Sequence, residues 1–394
     1  MSELNLSDRV QRIKPSPTLA VSNRAAELRA AGKDIIGLGV GEPDFDTPDH
    51  IKQAAIEAIQ QGKTKYTAVG GTPSLKKAVI DKFQRENGLS YDAEQILVSC
   101  GGKQSFFNMA LALLNDGDEV VIPAPYWVSY PDMVLVAGGK PVVIETGVEQ
   151  RFKITAEQLE QAITAKTRLF VINSPSNPSG IAYTEDELAA IGEVLLKHPD
   201  IMIATDDMYE HILWTGKPFV TIVNACPALY DRTIVLNGVS KAYSMTGWRI
   251  GYAAGPAKLI KAMTKVQSQS TSNPASISQA AAEAALNGPQ ECVAEMVKAF
   301  KQRHDWLVEA LNKLPGVTCL EGDGTFYAFA DFNAAIKTLG LKDDLALAEK
   351  LLEGGIALVP GSAFGTPGCM RLSFAVGMET LQSAVQRIAA VLAG

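Results

Sequence analysis

Between residues 95 and 254 short apolar runs alternate with stretches of helical spacing, and this alternation restricts the fold more than any other feature. The runs are Gln95–Ser99, Glu119–Pro123, Pro141–Glu145, Arg168–Asn173, Ile201–Thr205, Thr233–Asn237 and Ile250–Ala254. Each is nearly continuous in apolar residues, the pattern of a strand buried on both faces. Helices are expected from about Lys103 to Asn115, from Tyr126, and from Thr184, where Thr184-x-x-Glu187 forms a capping box, to about His198. Upstream, Thr47 is a cap candidate with Pro48 at the first helical position, followed by Ile51, Ala54, Ala55 and Ala58, with Gly62 closing the run. Thr72-Pro73 opens a second helix in the same way, ending near Gly88. Strands too short to stand alone, alternating with amphipathic helices, specify an α/β fold: a mostly parallel seven-stranded sheet flanked by helices. Ligands of such sheets bind beyond the carboxyl ends of the strands.

The last third reads differently. Residues 290–314 look like one long helix, followed by weaker strands near Thr318–Leu320, Gly324–Ala330, Ala357–Val359 and Met370–Ser373. We read a large domain over 48–285 and a smaller α+β domain over 286–394, with residues 1–47 packing against the smaller one. The 394 residues are ample for this core. A net charge of −7 with no Lys/Arg-rich cluster argues against nucleic acid and anionic membranes as partners. No apolar stretch approaches a bilayer span, and the acidic start MSELNLSDRVQRIKP lacks the apolar core of a secretory signal. Five scattered cysteines without a CxxC fit a reducing, cytoplasmic setting, and four histidines show no metal-ligand spacing.

Polar residues gather where strands end. Gly101-Gly102 follows a strand and precedes a helix; this is either a tight turn or an anion site on free backbone N–H groups. Gly37-Leu-Gly-Val-Gly41 does not complete a dinucleotide fingerprint, because Glu42 stands where the third glycine would fall and no helix follows Pro43. Asn177 lies in a Pro/Asn-rich turn after Arg168–Asn173. Asp206-Asp207-Met-Tyr209 sends two acids and a phenol out of another strand end, where a helix cap is the simpler explanation of one acid. Lys241 follows the run Thr233–Asn237, with Arg249 eight positions on. A lysine in an enclosed site can lose its proton and attack a carbonyl, and a guanidinium suits a phosphate. Singly, each residue has a local structural explanation. Together they make the inventory of a pyridoxal phosphate site.

The motifs extend along the chain: Gly41-Glu-Pro-Asp-Phe-Asp-Thr-Pro48, Lys65-Tyr66, Gly101-Gly-Lys-Gln104, Pro125-Tyr-Trp-Val-Ser-Tyr130, Asn177-Pro-Ser-Gly180, Gly238-Val-Ser-Lys241-Ala-Tyr-Ser-Met-Thr-Gly-Trp-Arg249-Ile-Gly251 and Arg371-Leu-Ser. In this order they resemble the class I (fold type I) pyridoxal phosphate-dependent aminotransferases, in particular the bacterial aspartate, or aspartate/prephenate, subgroup. The resemblance implies a ping-pong transamination of L-aspartate or L-glutamate with 2-oxo acids such as 2-oxoglutarate and oxaloacetate. Lys241 would form the Schiff base with pyridoxal 5'-phosphate and then move the proton. Asp206 would pair with the ring nitrogen, Tyr209 and Asn177 would bond the ring oxygen, and Trp127 would stack on the ring. Gly101, Gly102, Lys103, Ser240 and Arg249 would hold the phosphate. Tyr66 would reach the phosphate of the neighbouring subunit, implying a homodimer with shared active sites. Arg371 would clamp the substrate carboxylate, with Gly41 and Asn177 assisting and Trp127 alongside. Lys103 and Lys14 would bear on the distal acid and on prephenate. The alternatives are prephenate or aromatic amino acid transamination, a β-lyase on the same fold, or a non-catalytic cofactor-binding regulatory module.

Overall fold

The computed structural model describes residues 4–394. Its central sheet contains β1 (Ile96–Ser99), β2 (Glu119–Pro123), β3 (Lys140–Ile144), β4 (Thr167–Asn173), β5 (Met202–Asp206), β6 (Thr233–Gly238) and β7 (Gly251–Ala254). Their order across the sheet is β1-β7-β6-β5-β4-β2-β3. The seven expected strands are present within one or two residues. Strand β7 runs antiparallel to both neighbours, and the remaining pairings are parallel. Alternate side chains along a strand enter opposite faces. Val121, Phe170, Ile172, Ile203 and Val235 pack on one side, whereas Val120, Ile122, Leu169, Val171 and Leu236 pack on the other. Apart from the edge strand β3, where Val143 is exposed, both faces are covered, which is why these strands read as continuous apolar runs.

The helices over the sheet include α1 (Asp49–Gln60), α2 (Pro73–Lys82), α3 (Gly102–Leu113), α4 (Glu185–Leu196), α5 (Ala257–Ser268) and α6 (Ser276–Asn287). Thr72 caps α2 by accepting from the Leu75 N–H, and Thr184 and Glu187 close the expected capping box on α4. Thr47 does not cap α1. Its hydroxyl donates to the Ser244 carbonyl at 2.7 Å and accepts from Trp248 Nε1 at 3.0 Å, so α1 begins at Asp49 with Pro48 as its cap. The helix expected from Tyr126 starts only at Ser129, because the Tyr126 N–H is engaged by the Phe364 carbonyl. Helix α5, with Ile260 and Met263 inward, and the helix Pro17–Ala30 were not read from the sequence.

Helix α7 (Glu291–Asn312) leads into a second sheet, β8 (Thr318–Cys319), β9 (Tyr327–Asp331), β10 (Val359–Pro360) and β11 (Cys369–Ser373), in the antiparallel order β10-β11-β9-β8. Ile36–Gly37 pairs in parallel with Ile356–Ala357, and Leu38 enters the same apolar core as Phe300, Phe326 and Leu358. This pairing joins residues 36–38 to the C-terminal third and brings the carbonyls of Gly39 and Gly41 to Arg371 and Lys241. Among the described residues no helix is long and apolar enough to cross a membrane.

Behind the strand ends lies a buried ion pair. Lys82 of α2 is inaccessible to solvent and donates to Glu210 and, at 2.8 Å, to Asn87 Oδ1. Asn87 and Asn237 amides donate to the two Glu210 oxygens at 2.8 and 2.6 Å. Removing Glu210 would leave Lys82 with only the more distant Glu86, 3.6 Å away, as counter-ion, and breaking a buried pair costs about 3–5 kcal/mol. Glu210→Ala is accordingly expected to lower the urea midpoint markedly at unchanged slope; a wild-type midpoint would show that Lys82 finds another partner.

Candidate active site

The carboxyl ends of β1, β4, β5 and β6 surround a cavity of about 460 Å³, a size suited to a small-molecule ligand. The parallel register places Asn173, at the end of β4, beside Asp206, at the end of β5. Strand β6 then delivers Ser240 and Lys241 to the same cavity.

Asp206 forms the floor. The Tyr130 hydroxyl donates to its Oδ2, the Met208 N–H approaches Oδ1 at 3.3 Å, and Asn173 Nδ2 donates to its backbone carbonyl at 2.7 Å. Burial raises the carboxyl pKa, against the lowering effects of Tyr130, the Met208 N–H and Lys241. Lys241 rises from one wall, its ammonium donating to the Gly41 carbonyl at 2.6 Å. Burial, reinforced by the positive charges of Arg371 and Arg249, pulls its pKa down to about 8, while Glu42 and Asp206 act against that shift. An amine in this range is available as a nucleophile near neutral pH.

At one end sits an anion cradle. Gly101, at φ +87°, turns the chain into α3, and a side chain here would run into the Arg249 guanidinium. A side chain at Gly251 would strike the Gly102 backbone nitrogen, so β7 and the turn into α3 touch backbone to backbone. Arg249, itself at φ +58°, is oriented by the carbonyls of Thr246 at 2.8 Å and Cys100 at 3.3 Å. The first-turn N–H groups of Gly102 and Lys103 have no intrahelical acceptor, and the helix end is positive. Ser240 and Trp127 line the adjoining walls, with the Lys103 ammonium 5.2 Å from the Trp127 ring centre. Burial and Arg249 lower the Lys103 pKa.

At the other end, Arg371 of β11 is buried, with 2% of its surface exposed. It donates to Asn177 Oδ1 at 2.9 Å and to the Gly39 carbonyl at 2.6 Å, while its Nε has no partner. Tyr327 and Phe364 stack on it at 4.5 and 4.9 Å. The Tyr209 hydroxyl meets the Tyr327 hydroxyl at 3.0 Å. Among the described residues no carboxylate forms an ion pair with Arg371 or with Lys241. The site thus joins a nucleophilic amine and a half-buried carboxylate to two separate places for anions.

A family model for "Aminotransferase class I and II" matches residues 33–388. The chain belongs to the class I and II aminotransferases. An aspartate/prephenate aminotransferase of Nitrosomonas europaea is 63% identical over 396 aligned residues, covering 99% of this chain and 100% of that protein. An aspartate aminotransferase of Geobacillus stearothermophilus is 50% identical, covering 98% of each. The crystal structure of the Rhizobium meliloti aspartate aminotransferase superposes with a TM-score of 0.95 at 49% identity, covering 99% of both chains.

In this aminotransferase, three of the residues anticipated at the site do not line the cavity. Gly101 lies behind Arg249. Tyr66 is 93% exposed and borders a separate surface recess with Lys65 and Ser276. Lys14 is exposed in the turn before the helix Pro17–Ala30, although the following Ser16 and Thr18 do line the cavity. Conversely, Asn173, Glu42 and Tyr327 line it, and Tyr130 supports its floor, without having been singled out. Tyr130 closes the quoted Pro125–Tyr130 motif and Asn173 ends a strand, so both had a local signal. Tyr327 sits in an apolar strand and had none.

Proposed function

We propose that the aminotransferase carries the amino group of L-aspartate or L-glutamate to a 2-oxo acid, with pyridoxal 5'-phosphate bound in the cavity. The donor set fits this cofactor. The α3 N-terminus, Ser240 and Arg249 suit its phosphate, Asp206 its ring nitrogen, Lys241 its aldehyde, and Trp127 one ring face. When bound, the cofactor supplies an electron sink for charge developing at the substrate Cα. Lys241 supplies the attacking amine and afterwards takes and returns the Cα proton. Asp206 holds a proton at the ring nitrogen, steadied by Tyr130 and Asn173, and Tyr209 and Asn177 bond the ring oxygen.

The observation that carries the substrate class is Arg371. A buried guanidinium with two neutral acceptors and an unpartnered Nε lacks a counter-ion, and a planar α-carboxylate matches its fork. Aspartate as donor is favoured by the names of the relatives, and prephenate as an acceptor by the 63% identical one. Lys103 is the nearby cation for a distal acid, with Lys14 on the adjacent N-terminal turn.

Our reading further includes a homodimer in which Tyr66 completes the partner's phosphate site, supported by the exposure of its ring and of the apolar Ile56 and Ile59. It places the enzyme in the cytoplasm, in keeping with five free cysteines. It divides the chain into 1–47, 48–285 and 286–394, the first part joining the last through Ile36–Gly37 and Ile356–Ala357. The test is the visible spectrum of the holoenzyme with L-aspartate and no acceptor. The cofactor band should bleach and return on adding 2-oxoglutarate. Bleaching by phenylalanine but not aspartate would keep the chemistry and overturn the donor. A band that never bleaches reversibly with any amino acid would favour a lyase or a regulatory module.

A further inference from the structure

Two acids follow Asp206 on the hidden side of the site, in unlike surroundings. Glu210 receives Lys82, Asn87 and Asn237, a cation and two amides; burial raises its pKa, but Lys82, His211 and Asn87 outweigh that and lower it. Asp207, 2% exposed, has no cation in an ion pair with it among the described residues. The Thr205 hydroxyl donates to its Oδ1 at 2.6 Å, and the Thr221 hydroxyl lies beside the carboxyl. Thr221 Oγ1 is buried and makes no hydrogen bond in the structure, so it has the capacity to accept one. The charged groups facing Asp207 are Glu210 and Asp206, and the nearby titratable phenols are Tyr91 and Tyr130. None of these groups is a cation, and Lys82, also on this side, is bound to Glu210.

A buried carboxylate without a cation, set between two other acids, takes up a proton in preference to remaining charged. We propose that Asp207 is a neutral carboxylic acid, accepting from Thr205 and donating to Thr221 Oγ1, and that it is a positioning residue for Asp206. Its backbone N–H also donates to Leu236 O at 2.9 Å, tying the end of β5 to β6. Through these bonds it joins the Asp206 turn to the helical turn Ile222–Ala225 while leaving Asp206 as the single anion on the cavity floor. Burial, with Glu210 and Asp206 adding to it, raises the Asp207 pKa to about 8.

The linkage has a definite sign. In the unfolded chain Asp207 ionises near pH 4, whereas in the folded protein it holds its proton up to about pH 8. Its contribution is therefore fully favourable below pH 4 and is lost progressively as pH rises from 4 to 8. An asparagine can make the same two bonds without a proton to lose.

The experiment compares the holoenzymes of the parent, D207N and D207A by calorimetry from pH 5 to 8.5, together with their kinetics. D207N should melt several degrees above the parent at pH 8, with a gain that shrinks toward pH 5. D207A should lose about tenfold in kcat, and D207N should restore it to within twofold. A D207N protein that melts below the parent throughout, or fails to fold, would mean that Asp207 is ionised and would overturn the proposal. So would a gain that does not change with pH, or a D207A protein with undiminished kcat. The melting comparison is independent of the transamination reading, and only the kinetic one rests on it.

Discussion

Lys241→Ala is expected to give a folded protein whose rate of amino transfer is lower by ~10⁴-fold or more, because in the proposed reaction one side chain would supply both the nucleophile and the acid–base group. The replacement removes a half-buried amine held by a single carbonyl, Gly41, and leaves no charged partner stranded. Its melting temperature should therefore stay close to that of the parent. Stopped-flow spectra with L-aspartate would follow the first half-reaction alone, so a slow second substrate cannot mask the result. A variant retaining a tenth of the parent rate would remove Lys241 from the chemistry and return the cavity to a binding role. In the parent, the rate of reaction with the cofactor's aldehyde should climb with pH and level off above about 8, where the amine is mostly neutral. The sign follows from burial and two nearby guanidinium groups, which favour the uncharged form.

Arg371→Leu should separate stability from activity. The guanidinium is enclosed by Tyr327, Phe364, Asn177 and Gly39, and burial lowers its pKa. Replacing an unpaired buried cation by an apolar side chain is often neutral or stabilising, by about 1–3 kcal/mol. The same change removes two charge-assisted hydrogen bonds to a carboxylate, each of about 1.5–3 kcal/mol, and kcat/KM for aspartate should drop by ~10³-fold. Denaturation and steady-state kinetics on one preparation test both halves. Unchanged kcat/KM would show that the carboxylate binds elsewhere. Strong destabilisation would show that the guanidinium has structural work that its contacts do not reveal.

The parts legible in the sequence were those with local causes. Continuous apolar runs marked β1 to β7 because both faces of that sheet are covered, and residues just past those runs mapped the cavity. Arg371 and Gly41 were placed by resemblance to a family, since neither follows a strand of the large sheet. The antiparallel course of β7 has no signature in four residues, Gly251–Ala254, because direction is set by the loop carrying Lys241 and Arg249. Tyr130 reaches Asp206 across 76 positions, and Tyr327 reaches Tyr209 across 118. Pairings of that kind are settled by the folded chain. Asp206 and Asp207 looked alike as neighbouring acids, and only the arrangement of hydroxyls and cations behind them tells them apart.

A line of contacts runs across the cavity from Arg371 to Asn177 Oδ1, from the Asn177 N–H to Asn173 Oδ1 at 2.8 Å, and from Asn173 Nδ2 to Asp206. It works as a fixed gauge. With both ends set by short polar links, a carboxylate seated on Arg371, as proposed, would hold its α-carbon at a fixed distance from the floor. On that reading regiochemistry would be a matter of length: an amine one carbon farther from the acid should react far more slowly, whatever its affinity for the guanidinium.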